Sequence, residues 1–171
     1  MTIDRVSSEL PTMDRIHDGQ TLFLDGVGHV QNYHGDYART VFVGEPSAAA
    51  RRGGAAVTLG WQAICEQLRP GLAFSEIAEI GQSRAAPGRG RRHRRFRPAQ
   101  CRIDAFGRAG RETGGFYVKD ELFLEKDMVL SVDCPVMETG IGGSVHIEDL
   151  VVITADGVEP IHAVGDHVLT V

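Results

Sequence analysis

Apolar and polar positions along the chain fall into two rhythms. Thr21-Leu22-Phe23-Leu24 and Asp36-Tyr37-Ala38-Arg39-Thr40-Val41-Phe42-Val43 are runs rich in β-branched and aromatic residues, the pattern of strands. Gly26, Gly28 and Gly35 lie between or beside them and predict bends, with His29 and His34 as turn residues. Gly44-Glu45-Pro46-Ser47 stops the second strand, and Ser47 is suited to N-cap a helix from about Ala48 to Leu68. Val57, Trp61, Ile64, Cys65 and Leu68 recur at helical spacing on one face, although Gly53, Gly54 and Gly60 weaken that helix. Arg69-Pro70-Gly71 ends it, and a second helix is predicted from about Ser75 to Gln82, with Phe74, Ile77 and Ile80 inward. Further on the period returns to two. Met128 to Val132 reads as a strand ending at Asp133, and Val145 to Thr154 as a longer one. Ala155-Asp156-Gly157 is a tight turn, and the last strands fall around Glu159–His162 and His167–Val171.

Composition bounds this picture without changing it. The 171 residues are enough for one domain with a buried core, and 42% hydrophobic with 24% charged residues is ordinary for a soluble globular chain. The longest apolar runs are too short to span a bilayer, and Met-Thr-Ile-Asp-Arg lacks a signal-peptide pattern, so cytoplasmic residence is the expectation. Cys65, Cys101 and Cys134 are odd in number and lack metal-type spacing, which argues against a disulfide framework.

Charge does change the picture. Residues 84–111 carry ten Arg against a single acid, Asp104, so this window is +9 and the remainder of the net −5 sums to −14. Like charges repel and the window has almost no apolar period, so it is predicted to be disordered. Phe96 is the only aromatic within the Arg run, which leaves little for base stacking, and a nucleic-acid role is not expected.

The candidate chemistry lies in carboxylates at strand positions. Asp25 closes one apolar run and Asp36 opens the next, eleven residues on. Antiparallel pairing would bring them to one spot, where they repel unless a cation lies between them; otherwise both are solvated turn residues. Asp133 stands at a strand end, and Glu148, flanked by Ile147 and Leu150-Val151-Val152, is costly to bury alone. Four such oxygen donors suit manganese or cobalt, or zinc with mixed ligands. Two ions about 3.5–4 Å apart can bridge a water and deliver it as hydroxide.

These residues carry a resemblance. Leu24-Asp25-Gly26 followed by Tyr33-His34-Gly35-Asp36-Tyr37-Ala38-Arg39-Thr40-Val41 resembles the first metal motif of the creatinase, prolidase and Xaa-Pro aminopeptidase family, the pita-bread metallopeptidases. Leu124 to Asp133 and Gly142 to Val151 resemble the strands with that family's next ligands, and Ile153 to Glu159 its terminal hairpin. The resemblance implies an α+β fold: a strongly curved antiparallel sheet with helices on its outer face, as a single partial catalytic domain over residues 1–171 shortened at its N-terminal side. It implies two divalent metal ions, manganese first, held by Asp25, Asp36, Asp133 and Glu148, with Asp36 and Glu148 bridging. Asp133 stands where the family usually has Glu. His146 and Arg39 are expected to buttress the ligands rather than bind. The implied activity is hydrolysis of a peptide bond next to proline, in a dipeptide or at an N-terminus, by a metal-bridged hydroxide in a homodimer.

One part of the family pattern is missing. The remaining ligand is a His in a stretch resembling His-Ser-Val-Gly-Leu, followed by a second His, and both should precede Met128. Between the second predicted helix and Met128 the only His is His93, inside the Arg run. Reverse-translated with GC-rich codons and read one base later, Arg91 to Gly110 can give Ala-Gly-Ile-Ala-Val-Ser-Ala-Pro-His-Ser-Val-Gly-Leu-Met-His-Ser-Asp-Glu-Pro-Gly. This reading restores both His and removes the Arg run. It predicts that residues from about 84 to 109 are out of frame, with the frame restored near Arg111-Glu112. Weak or absent turnover follows as the expectation. The alternative is a catalytically dead remnant or binding module of the same fold.

Overall fold

The first two strands form one uninterrupted ribbon. In a computed structural model, which describes residues 15–31, 33–85, 102–106, 122–136, 145–163, 165 and 168–171, β1 (Thr21–Val30) and β2 (Tyr33–Phe42) pair antiparallel from Thr21↔Phe42 to Val30↔Tyr33. The bends expected at Gly26, Gly28 and Gly35 do not occur. These glycines take extended backbone inside the ladder, and His29 and His34, expected in a turn, are paired strand residues. The reversal begins instead at Gln31, whose φ of +50° is the left-handed conformation that tight hairpin turns need. Without side chains to pack, a glycine-rich stretch is held in a strand by its partner's hydrogen bonds, a force that local propensity does not register.

The remaining elements are α1 (Ala48–Cys65), α2 (Phe74–Ala85), β3 (Arg102–Phe106), β4 (Val129–Val136), β5 (Val145–Ile153), β6 (Val158–Pro160) and β7 (Val168–Thr170). The Ser47 hydroxyl accepts from the Ala50 N–H at 3.1 Å, capping α1 as expected. Gly71, at φ +87°, makes the turn between the helices. The Ala73 N–H donates to Glu76 at the start of α2.

The strand order is β1-β2-β5-β4-β3, with β6 on β5 and β7 on β2. All pairs are antiparallel except β2 with β7. β3 lies within the window expected to be disordered. Its five residues pair with β4 from Arg102↔Asp133 to Phe106↔Val129. Ile103, Ala105 and Phe106 give this short piece an apolar content that the Arg run before it lacks. Arg84 and Ala85 end α2, and the rest of that window lies outside the described residues.

One face of β4 and β5 builds the core. Leu130, Val132 and Cys134 of β4 and Val145, Ile147, Val151 and Ile153 of β5 pack with Val57, Trp61, Ile64, Leu68 and Ile77 from the helices. Burying a side chain of this size stabilises by about 1.5–3 kcal/mol each. Because side chains alternate along a strand, the intervening residues of β4 and β5 look to the opposite face. Among the described residues no helix is long and apolar enough to cross a membrane.

Candidate metal centre

The register sets the chemistry in a row. Asp25↔Ala38, Ala38↔Glu148 and Glu148↔Asp133 are successive cross-strand partners over β1, β2, β5 and β4. Opposite residues of antiparallel strands share a face, so Asp25, Glu148 and Asp133 stand together on the side away from the helices. Stepping two residues along each strand adds Asp36, His146 and Ser131 to the same side.

The side chains converge. Ligand-type atoms of Asp25, His146 and Glu148 all lie within 4.8 Å of one another. Nδ1 of His146 is 4.0 Å from Oδ2 of Asp25, and its Nε2 makes a short hydrogen bond with Oδ1 of Asp133. The Ser131 hydroxyl donates to Oε1 of Glu148 at 2.5 Å, and Asp36 shares a hydrogen bond with Glu148. The His146 backbone is itself held. Its N–H donates to Oγ1 of Thr40 at 2.7 Å, and that hydroxyl donates to the His146 carbonyl at 2.9 Å. Phe23 stands beside the imidazole, with ring centroids 5.5 Å apart.

Burial and mutual repulsion perturb the group. Burial raises Glu148 to about 7, reinforced by the charges of Asp133 and Asp36 and opposed by the Ser131 hydrogen bond and by His146. Burial also raises Asp36, with the Asp25 charge adding to it. Burial alone would lower His146, but its hydrogen bond to Asp133 and the charges of Asp133, Glu148 and Asp25 outweigh it, and the net shift is upward. Four carboxylates around one imidazole leave a surplus of negative charge, and raised carboxyl values mean that protons supply the missing positive charge. A divalent cation would supply it instead, so the donor set fits such an ion.

Arg39 lies on the other face. Its guanidinium grips Asp149 through both carboxylate oxygens at 2.8 and 2.9 Å, and donates to the carbonyls of Ala38 and Glu148 at 2.9 and 3.0 Å. These carbonyls belong to the single paired register between β2 and β5, so Arg39 ties the seam on which Asp36 and Glu148 sit. Its planar group stacks 4.2 Å over Tyr37, and Nδ1 of His162 lies 3.0 Å from Asp149.

All four carboxylates named from sequence, with His146, therefore meet at one place, and Arg39 stands behind them. Sequence reasoning missed Ser131, Thr40 and His162. Ser131 was readable, since it lies two residues before Asp133 in the same strand. Thr40 and His162 act through contacts between distant segments that no local pattern encodes.

The sheet thus carries its helices on one face and, on the other, a carboxylate–imidazole cluster whose donors fit a divalent cation. Residues 5–155 match the model of metallopeptidase family M24, and the chain belongs to that family. The fold is that of solved prolidases and Xaa-Pro dipeptidases. An Xaa-Pro dipeptidase from Bacillus anthracis superposes with a TM-score of 0.78 at 22% identity, over 98% of this chain and 46% of that one. A prolidase from Pyrococcus furiosus gives 0.75 at 23% identity over 94% and 46%, and one from Pyrococcus horikoshii 0.70 at 25% over 88% and 43%. The chain thus spans less than half the length of these enzymes, and the α+β pita-bread fold is present in part. No curated protein matches the sequence.

Proposed function

We propose that this chain is a metal-dependent hydrolase of the Xaa-Pro peptidase type, cutting a peptide bond next to proline in a dipeptide or short peptide, with impaired turnover. The observation that carries this reading is the meeting of Asp25, Asp36, Asp133 and Glu148 around His146 in a member of family M24. The names of the prolidase and Xaa-Pro dipeptidase neighbours support the substrate class. Asp25, Asp36, Asp133 and Glu148 would hold two divalent ions, manganese before cobalt or zinc, with the protein working as a cytoplasmic homodimer.

Such ions, when bound, supply a Lewis acid for the scissile carbonyl and an activated water. The chain's own residues hold the geometry. Ser131 orients Glu148 by hydrogen bonding one of its oxygens. His146 is pinned to Asp133 and Thr40 and keeps the carboxylates apart without a direct clash of charges. Impairment follows from the missing His-containing segment: without that neutral ligand the site keeps excess negative charge and an open position.

The absent His favours one second reading, a catalytically dead remnant that binds a partner. Thermal unfolding with and without manganese separates the two. An ion at 100 times its dissociation constant stabilises by about 2.7 kcal/mol. A clear shift that is lost in Asp25→Asn and Glu148→Gln supports the metal site, and no shift supports the remnant. Assay of Xaa-Pro dipeptides with manganese tests the impairment, and robust turnover that needs both residues would overturn it.

A further inference from the structure

The sequence suggests that His146 buttresses the carboxylates, but its surroundings fit it for a more direct role. Oδ1 of Asp133 faces its Nε2, and Phe23 stands against the ring. An ionised carboxylate only accepts, so the nitrogen facing Asp133 carries the proton, and in the neutral ring the lone pair is left on Nδ1. That nitrogen looks toward Asp25, whose Oδ2 is 4.0 Å away, too far for a hydrogen bond. The His146 side chain is only 10% exposed, so among the described residues a nine-tenths buried ring presents an unpartnered acceptor to a carboxylate. Acceptor facing acceptor is unfavourable unless a cation lies between them. A carboxylate that takes the far N–H of an imidazole is also the common device for aiming the near nitrogen at a metal.

Distance and charge point the same way. Among the described residues, the potential ligand atoms that gather within 4.8 Å of one another are those of Asp25, His146 and Glu148, not those of carboxylates alone. An ion bound at about 2.0–2.2 Å holds neighbouring donors about 3–3.5 Å apart, so the group closes with a shift of about 1 Å. Asp25 can supply that shift, since its side chain is 40% exposed, while His146 keeps its place through the two hydrogen bonds between its backbone and Thr40. Two carboxylates and one neutral imidazole balance one divalent ion. A third carboxylate in place of the imidazole would leave the group negative.

We propose that His146 is itself a metal ligand, binding through Nδ1 beside Asp25 and Glu148, with Asp133 as the carboxylate that orients its ring. The inference rests on the metal part of the reading above and adds a nitrogen donor to its carboxylates. The test is heteronuclear NMR of the imidazole nitrogens in the full chain, metal-free and saturated with zinc, with calorimetry to follow binding. On zinc binding one ring is expected to show a metal-bound Nδ1 and a protonated Nε2, and that ring should be missing from His146→Gln. This variant should bind zinc more than about 10-fold less tightly than the parent. His146→Gly supplied with isotope-labelled imidazole gives a second readout that a merely structural role would not move: the added ring should take up the same metal-bound pattern. Zinc that binds with no imidazole nitrogen on it, or through a ring that survives in His146→Gln, overturns the ligand role and leaves the carboxylate site standing. A parent that binds neither zinc nor manganese overturns the metal reading and this inference together.

Discussion

Glu148 and Arg39 answer opposite demands from the two sides of the same strand seam. Glu148 is 5% exposed among three other carboxylates, and burial together with its neighbours raises it to about 7. Glu148→Gln imitates its protonated form. The metal-free variant is expected to melt no lower than the parent at pH 8, while the manganese-induced shift shrinks by more than about 10-fold in apparent affinity, the scale on which even supporting groups matter. Melting curves with a chelator and with manganese check both halves, and a variant that gains manganese affinity would contradict them. Arg39 is different in kind. It is 2% exposed, and its partner Asp149 is 3% exposed. Arg39→Ala would leave a buried carboxylate with His162 as its remaining side-chain neighbour, a loss of about 3–5 kcal/mol in denaturant unfolding. The double variant Arg39→Met, Asp149→Leu should recover much of that loss, because it removes the stranded charge together with its partner.

The elements show how much the sequence holds and why the rest escaped it. α1, α2, β4 and β5 lie close to where apolar periodicity puts them, because each buries one strongly apolar face. β1 and β2 extend past their apolar runs through glycines and histidines whose pattern says turn, since ladder hydrogen bonds rather than side chains hold them there. β3 escaped for a related reason: its pairing with β4 is non-local, while the Arg run beside it dominates any local reading. The four carboxylates were legible because each stands at a strand position beside a recognisable motif. The Ser131–Glu148 bond was not, because it depends on two strands meeting in one register. That register makes the metal-free sheet sensitive to pH. Glu148 is raised in the folded state from 4.5 to about 7, so its contribution is fully present below about 4.5 and is lost as pH rises through 7. Asp36 is raised and acts in the same sense. His146, raised above 6.5, contributes fully below that value and loses its contribution as pH climbs through its higher folded value. All three signs agree, so the melting temperature in chelator should fall between about pH 5 and 8, and manganese should flatten or reverse the slope. A rise in chelator over that interval would contradict the shifts. Within α1, Gly54→Ala should stabilise by up to about 1 kcal/mol, since a methyl there meets the Phe42 ring and Val168 at 3.5–3.6 Å, ordinary contact, while helix propensity improves.

At the scale of the molecule the decisive region is the segment that ends in β3. β3 lies beside β4, and Arg102 is the cross-strand partner of Asp133, so the even-numbered positions of β3 share the carboxylate face. As it stands, the stretch supplies arginines and a single histidine, His93. Read one base later, Arg91 to Gly110 offers imidazoles by Ala99→His and Ala105→His within Pro-His-Ser-Val-Gly-Leu-Met-His, and since position 105 is the cross-strand partner of Leu130 on the helix face, the first is the ligand candidate. A neutral imidazole adds a ligand without adding negative charge, which is what four crowded carboxylates lack. Replacing residues 91–110 by the neighbouring-frame sequence should therefore raise manganese affinity and bring Xaa-Pro turnover above that of the parent chain. Reversing the first of these imidazoles alone, in the replaced chain, should return affinity toward the parent level and leave the melting temperature in chelator unchanged. The gene gives an independent check, since the neighbouring frame across this stretch must be free of stop codons and must encode histidine at both places. A replaced chain that binds manganese no better than the parent would show that the missing imidazole does not limit the site.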